Sequence, residues 1–184
     1  MRLFIAANIP EKIKEEFVLL NKGLKYKIPK VSWITGRNFH ITLKFLGEVQ
    51  EGRIPKIISS VSDICKEIKP FTVKFSGLGA FPDLKYPHII WAGVSEGKSE
   101  LENLAKKIEY SLEKIGFEKE RRSFSAHLTI GRVRSPKVRD LSFENIQAAF
   151  SPFELKNIDL MQSVLKPSGA EHTILETFIF GGKG

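Results

Sequence analysis

The sequence predicts an α+β fold with mainly antiparallel sheet. Short apolar runs rich in β-branched and aromatic residues alternate along the chain with amphipathic segments at helical spacing. Several neighbouring strand segments are separated by only a few turn residues, which favours hairpins over parallel crossovers. No low-complexity linker divides the 184 residues. We therefore expect one domain over residues 1–184, with strands and helices interleaved.

Eight segments have strand character, because apolar residues recur in them with a period of two or in short buried runs. They are residues 1–9, 31–36, 38–46, 71–81, 88–94, 123–133, 153–166 and 172–180. A turn around Gly36–Arg37 predicts that segments 31–36 and 38–46 form a hairpin.

The helical segments have recognisable starts and ends. Residues 10–24 open on Pro10, and residues 51–68 carry Pro55 close enough to the start to be tolerated. Residues 99–116 give the clearest pattern, with Ser99 as the expected cap and Gly116 as the expected end. Residues 134–150 are predicted to contain a loop and a further helix.

Composition restricts the function classes. Lys and Arg outnumber Asp and Glu by 29 to 21, a net charge of +8, which favours a polyanionic partner such as nucleic acid. A basic surface without a specific partner stays open as the alternative. Cys65 is the only cysteine, so an intrachain disulfide is excluded, and we expect Cys65 to be buried in a helix. No apolar run is long enough to span a membrane, so we expect a cytoplasmic protein without a membrane partner.

A His-x-Thr motif occurs twice. HITLKFLGEV begins at His40, and HLTIGRV begins at His127. Because strand side chains alternate, His40, Thr42 and Lys44 should share a polar face, and Phe45 should point to the core.

The second motif has the same pattern, with His127 and Thr129 on one face. Each motif also follows a comparable succession of elements. The sequence therefore predicts a pseudo-symmetric pair of lobes whose polar faces could meet at one cleft, with Lys44 on its rim.

Two imidazoles and two hydroxyls suit phosphoryl transfer. A neutral imidazole can take a proton from attacking water while a protonated one gives a proton to the leaving oxygen. Threonine hydroxyls can stabilise charge that develops on the phosphoryl oxygens. The arrangement requires no metal and no cofactor. The alternative for each motif is an ordinary strand histidine with a local hydrogen bond.

These motifs resemble the paired signatures of the two-histidine phosphoesterase superfamily. More narrowly, they resemble the RNA 2′,3′-cyclic phosphodiesterases, also called 2′-5′ RNA ligases. The similarity extends to RLFIAANIP near the start, FPDLKYPHIIWAGV in the middle and SVLKPSGAEHT near the end. One departure is Ala126, where the family often has proline before the second histidine.

The resemblance implies a bilobal fold in which two antiparallel sheets flank a central groove, with helices packed outside. It implies hydrolysis of a terminal 2′,3′-cyclic phosphate on RNA to a 2′-phosphate, and the related 2′-5′ joining and cleavage of RNA ends. By position, His40 resembles the proton donor and His127 the proton acceptor, with Thr42 and Thr129 holding the phosphate. RNA is then the expected partner of a monomeric enzyme.

Three further residues are candidates for substrate binding: Lys44, Phe45 and Arg132. Arg132 corresponds to a family arginine near the phosphate, but strict alternation turns it to the core unless a bulge at Gly131 re-aims it. Phe45 resembles a family aromatic that can lie against a base, with core packing as the alternative. His172 is followed at once by Thr173, on the opposite face, so we do not expect a third motif there.

Two other function classes remain open at this stage. An RNA-end binding module without turnover would use the same basic cleft, although a binder has little need of two titrating groups. A histidine-ligated metal site is the other, but no Asp, Glu or Cys accompanies either motif at ligand spacing.

Overall fold

The structure is a computed structural model, and it describes residues 1–143, 146, 148–167 and 169–181. Nine strands are formed in the described residues: β1 Arg2–Asn8, β2 Val31–Trp33, β3 His40–Glu48, β4 Phe71–Phe81, β5 Ile89–Glu96, β6 His127–Val133, β7 Phe153–Leu155, β8 Asn157–Lys166 and β9 Gly169–Ile179. The α-helices of the same residues are α1 Glu11–Lys27, α2 Ile54–Lys66 and α3 Lys98–Lys114. None of these helices is long and apolar enough to cross a membrane.

The strands form two sheets in which every pairing is antiparallel. The first sheet has the order β3-β1-β8-β9, and the second has the order β2-β6-β5-β4-β7. The first sheet therefore combines strands from the beginning and from the end of the chain. This architecture confirms the predicted α+β class.

The two halves repeat one arrangement. In the first half α1 connects β1 with the segment leading to β3, and in the second half α3 connects β5 with β6. β1 and β3 are antiparallel neighbours, as are β5 and β6. His40 lies opposite Asn8, and His127 lies opposite Gly93. The predicted pseudo-symmetry is confirmed at the level of strand pairing.

The core is a continuous apolar cluster to which both sheets and all three helices contribute. Phe17 of α1 packs on Phe39, Phe75 and Phe150, with ring centroids 4.1–5.4 Å apart. Cys65 lies inside this cluster, as expected. The core face of each motif strand is thereby fixed, which leaves the histidine face directed away from the core.

The helices follow the apolar periodicity. α3 buries Leu101, Leu104, Ala105, Ile108 and Leu112, which is the i, i+3, i+4 spacing of one helix face. The cap of α3 lies two residues earlier than expected, at Gly97 rather than Ser99. Gly97 has φ of 78°, a left-handed conformation that favours glycine. Pro55 lies in the first turn of α2, as predicted.

The predicted hairpin between segments 31–36 and 38–46 is wrong. β2 pairs with β6 in the second sheet, whereas β3 pairs with β1 in the first. A short 3-10 turn at Gly36–Asn38 carries the chain from one sheet to the other. The turn residues were correctly located, but a turn does not specify which strand its neighbours will pair with.

The predicted helix between residues 134 and 150 is not formed in the described part of that segment. Residues 134–143, 146 and 148–150 lack helical structure, and Ala149 makes an isolated bridge to Ser76. Glu144, Asn145 and Gln147 lie outside the described residues.

Candidate active site

His40 begins β3 and lies on the side of the first sheet that faces away from the main core. Its ring packs on Phe4 of β1, with centroids 5.0 Å apart, and Phe4 belongs to a small separate cluster with Ala6 and Met161. Burial lowers the pKa of His40 to about 4. The charges of His172 and Arg132 act in the same direction, while the Asn38 backbone opposes them. His40 is therefore neutral at pH 7.

His127 begins β6 and lies in an equivalent position in the second sheet. Its Nδ1 forms a 2.7 Å hydrogen bond with the Ser125 carbonyl oxygen. The ring lies edge-on to Phe81, with centroids 5.0 Å apart, and close to Trp91. Burial lowers the pKa of His127, and the Ser125 carbonyl partly offsets this effect.

The hydrogen bond to Ser125 fixes the tautomer of His127. Because a carbonyl oxygen can only accept, Nδ1 carries the proton and Nε2 is left with a free lone pair. His40 has a corresponding backbone partner, since the Asn38 carbonyl two residues before it also raises the His40 pKa. The two histidines therefore share a position in the repeat and a backbone partner two residues earlier, and the bond at His127 is the better formed of the two.

A β-bulge follows the threonine in both motifs. In β3 the pairing passes from Thr42, opposite Ala6, to Lys44, opposite Ile5, and leaves Leu43 unpaired. In β6 it passes from Thr129, opposite Trp91, to Gly131, opposite Ile90, and leaves Ile130 unpaired. Each bulge inserts one extra residue and so reverses the alternation of the side chains after it.

The bulges direct the fifth residue after each histidine to the histidine face. Arg132 is exposed. Burial is the main cause that lowers the pKa of His172, and the positive charge of Arg132 is the second cause. The bulge that Arg132 required is present, immediately before Gly131. Phe45 is 57% exposed, with its ring 6.2 Å from Phe4, so the expected core orientation of Phe45 is wrong.

Lys44 does not lie on the rim of the site, so its predicted position on the polar face is wrong. The structure does not support its assignment to substrate binding. Its side chain is only 4% exposed. Nζ is 2.9 Å from Oε1 of Glu109 and donates to the Glu118 carbonyl oxygen at 2.7 Å. The bulge at Leu43 turns Lys44 inward, where it connects β3 to α3 and to the segment after α3.

His172 is a residue of this site that the sequence did not indicate. It lies on β9, opposite Ser163, and its ring centroid is 5.1 Å from that of His40 and 5.0 Å from that of Phe4. The absence of a third His-x-Thr motif did not exclude His172 from the site. The only available signal was the histidine itself, because its proximity to His40 depends on the strand order of the first sheet.

The site thus combines residues from both sheets. β3 packs against β6, and Arg132 of β6 is close enough to influence His40 of β3. Thr42 and Thr129 are half-buried, two residues after their histidines. Arg132 supplies a fixed positive charge, the threonines supply hydroxyls and the imidazoles can carry protons. Among the described residues, no group of three His, Cys, Asp or Glu side chains could hold a metal ion.

Comparison with known proteins identifies the class. The family model described as "LigT like Phosphoesterase" matches residues 8–91 and 93–170. The chain belongs to this family of LigT-like phosphoesterases.

Two full-length relatives carry the same descriptive name. The chain is 36% identical over 180 residues to the RNA 2′,3′-cyclic phosphodiesterase of Archaeoglobus fulgidus, covering 97% of this chain and 99% of the relative. It is 34% identical over 186 residues to that of Aquifex aeolicus, covering 99% and 98%.

Solved structures support the fold. A protein of Thermus thermophilus matches with a TM-score of 0.84 at 23% identity, covering 100% of both chains. Escherichia coli LigT, solved as a complex with 3′-AMP, matches with a TM-score of 0.76 at 21% identity, covering 97% of each chain. At these identities the likeness concerns the fold alone.

Proposed function

We propose that the protein is an RNA 2′,3′-cyclic phosphodiesterase that hydrolyses a terminal 2′,3′-cyclic phosphate to a 2′-phosphate without a metal ion. The observation that carries this proposal is the duplicated His-x-Thr motif on two equivalently bulged strands. Relatives that align over almost the entire chain and are named for this activity support it.

His127 acts as the general base. Its Nδ1 proton is committed to the Ser125 carbonyl, so Nε2 is the nitrogen that can accept a proton. Nε2 takes a proton from water as the water oxygen forms a bond to phosphorus. This fixed tautomer supports the role that the family resemblance assigned to His127.

His40 acts as the general acid. The bond between phosphorus and O3′ breaks, and His40 gives its proton to O3′, which leaves a 3′-hydroxyl and a 2′-phosphate. His40 must first gain that proton, since its pKa of about 4 keeps it neutral at pH 7. A bound phosphate anion raises the pKa of a neighbouring imidazole and so favours the protonated form.

The remaining side chains hold the phosphate and the nucleotide. Thr42 and Thr129 donate hydrogen bonds to the non-bridging oxygens, and Arg132 supplies positive charge for the same group. Phe45, exposed beside Phe4, offers a ring on which a base can stack.

The same residues could join RNA ends through a 2′-5′ linkage. In that direction a 5′-hydroxyl replaces water as the attacking group on the cyclic phosphate, and the proton carriers keep the same functions. We include this reversible ligation in the proposal. We also propose that the protein acts as a monomer and that residues 1–184 form one domain.

The direct test uses an oligoribonucleotide that ends in a 2′,3′-cyclic phosphate. The purified protein should convert it to a product ending in 2′-phosphate, and excess EDTA should leave the rate unchanged. His127→Ala, prepared in parallel, controls for contaminating nucleases. A 3′-phosphate product, or activity lost with EDTA and restored by metal, would contradict the proposal. Addition of a 5′-hydroxyl oligonucleotide tests ligation separately.

A further inference from the structure

A third imidazole lies in the site beside His40. The rings of His40, His172 and Phe4 are mutually in contact, with centroids 5.0–5.1 Å apart. Phe4 is 2% exposed, so it forms a fixed wall for both imidazoles. β9 positions His172 through its pairing with Ser163 of β8.

The hydrogen bonding of His172 is incomplete. Its Nδ1 is buried and has no hydrogen-bond partner among the residues that the structure describes. A buried polar atom without a partner costs free energy, so a ligand that supplies one is favoured. Nδ1 of His172 is therefore available to a polar atom of a ligand that binds beside it.

The charged groups around His172 favour an anion as that ligand. Arg132 of β6 acts on both His172 and His40, and Lys14 of α1 acts on His40. Glu171, the nearest acidic neighbour along β9, is paired with Lys166 of β8. Asp159 of β8 is a buried carboxylate on this sheet, and it accepts hydrogen bonds from Asn8 and Thr177. The charges of neighbouring elements that shift the pKa values of the His40–His172 pair, those of Arg132 and Lys14, are positive.

We propose that His172 is a positioning residue that holds the His40 ring against Phe4 and becomes a cation beside a bound phosphate group. The inference rests on the proposed function only in taking a phosphoryl group as the natural occupant. Burial lowers the pKa of both imidazoles and so favours their neutral forms at pH 7. A dianion reverses this preference, so ligand binding takes up protons.

Binding of sulfate tests this inference without requiring turnover. Sulfate remains a dianion across the histidine range of about pH 5–8, so any pH dependence of its affinity comes from the protein. The affinity is measured by NMR titration of the histidine ring protons and by calorimetry. His172→Phe keeps the packing on Phe4, His172→Gln keeps a polar group, and His88→Gln replaces an exposed histidine as the matched control.

In the wild type, sulfate affinity should rise as the pH falls, and the His172 and His40 resonances should titrate at higher pH with sulfate bound. Both His172 variants should weaken sulfate binding about tenfold at the acidic end and little at the alkaline end, as loss of one charged hydrogen bond implies. His88→Gln should follow the wild type. The flattened pH profile is the critical result, since a purely structural role would not produce it.

Two results would overturn the inference: a wild type that does not bind sulfate, or His172 variants whose affinity falls equally at all pH values or does not fall. Failure of the proposed function looks different. In that case the wild type would bind sulfate with the expected pH dependence but would not hydrolyse cyclic-phosphate RNA.

Discussion

At the scale of single residues, the two motif histidines occupy equivalent positions but have unequal surroundings. His127 has a fixed tautomer through Ser125, whereas burial lowers the pKa of His40 to about 4 and a second imidazole lies beside it. The repeat therefore supplies two copies of the imidazole, and the local contacts differentiate them. This difference favours His127 as the acceptor and His40 as the residue whose protonation depends on the ligand.

Replacement of either motif histidine by alanine should remove one proton transfer. We expect kcat on cyclic-phosphate RNA to fall by about 10²–10⁴-fold for His40→Ala and for His127→Ala. The double variant should lose less than the product of the two factors, because residues that act as a unit are non-additive. Single-turnover assays measure these values, with His88→Ala as the control. Turnover close to wild type in either single variant would refute the paired acid–base mechanism.

The low pKa of His40 should also make the fold sensitive to acid. Between about pH 6.5 and pH 4 the unfolded chain binds a proton at this position and the folded chain does not. The free energy of unfolding should therefore decrease as the pH falls through this window, by about 2–3 kcal/mol from His40. Urea unfolding of wild type and His40→Asn at both ends of the window measures it. Equal pH slopes for the two proteins would contradict the assignment.

At the scale of elements, the duplicated bulge controls which side chains reach the site. It turns Phe45 and Arg132 outward and turns Lys44 inward. At the position equivalent to Lys44, Gly131 has no room for a side chain. A Cβ there would lie 2.8 Å from Cγ1 of Val31 and 2.9 Å from the Trp33 ring. The bulge of β6 therefore requires glycine at position 131, where Val31 and Trp33 of β2 leave no space for a side chain.

Gly131→Ala should consequently affect both stability and activity. The added methyl must displace β2 or the bulge, which should cost about 1–3 kcal/mol of unfolding free energy and misdirect Arg132. Gly23→Ala is the matched control, since Gly23 lies inside α1 with nothing within 4 Å of the added Cβ. That control should be stabilised by up to about 1 kcal/mol and keep wild-type kinetics. Thermal melts and steady-state kinetics compare the two variants.

Lys44→Met separates a buried ion pair from a contact to RNA. It deletes the contacts to Glu109 and to the Glu118 carbonyl, so unfolding free energy should fall by about 1–3 kcal/mol. KM and kcat should stay near wild type, because Lys44 does not face the site. Lys106→Met, an exposed substitution on α3, is the control for loss of charge. A raised KM for RNA in Lys44→Met alone would reinstate Lys44 as a substrate contact.

At the scale of the whole molecule, the net charge of +8 should govern the encounter with RNA. Binding to phosphates releases counterions, so the affinity of inactive His127→Ala for a cyclic-phosphate oligonucleotide should fall steeply with salt. Adding Arg132→Gln should lower the slope of log affinity against log salt by about 1, whereas adding Lys44→Met should not change it. Fluorescence anisotropy measures these slopes. Salt-independent affinity would count against a nucleic-acid substrate.

The sequence could predict what depends on local periodicity. The shared face of His40 and Thr42 follows from strand alternation, and the extent of α3 follows from its apolar spacing. Alternation failed after Thr42, because a bulge is defined by the partner strand. Lys44 therefore points inward and Phe45 points outward, the reverse of what strict alternation predicted.

Features that depend on distant pairing could not be predicted in the same way. His172 reaches His40 through the strand order of the first sheet, in which β1 and β8 lie between β3 and β9. The pairing of β2 with β6 rather than with β3 likewise depends on contacts between distant parts of the chain. A single sequence does not reveal either choice, since hydrophobic patterns specify faces and not neighbours.

The strand order of the first sheet has a consequence for synthesis on the ribosome. β1 and β3 emerge early, but their sheet acquires β8 and β9 only after residues 49–156 have been translated. A two-stranded ribbon is marginally stable, and the unpaired edge of β1 can template incorrect pairing. The sheet that is begun first is thus the last to be completed. The nascent chain has to keep one apolar strand edge unpaired for most of its elongation, which makes early chaperone contact advantageous at β1.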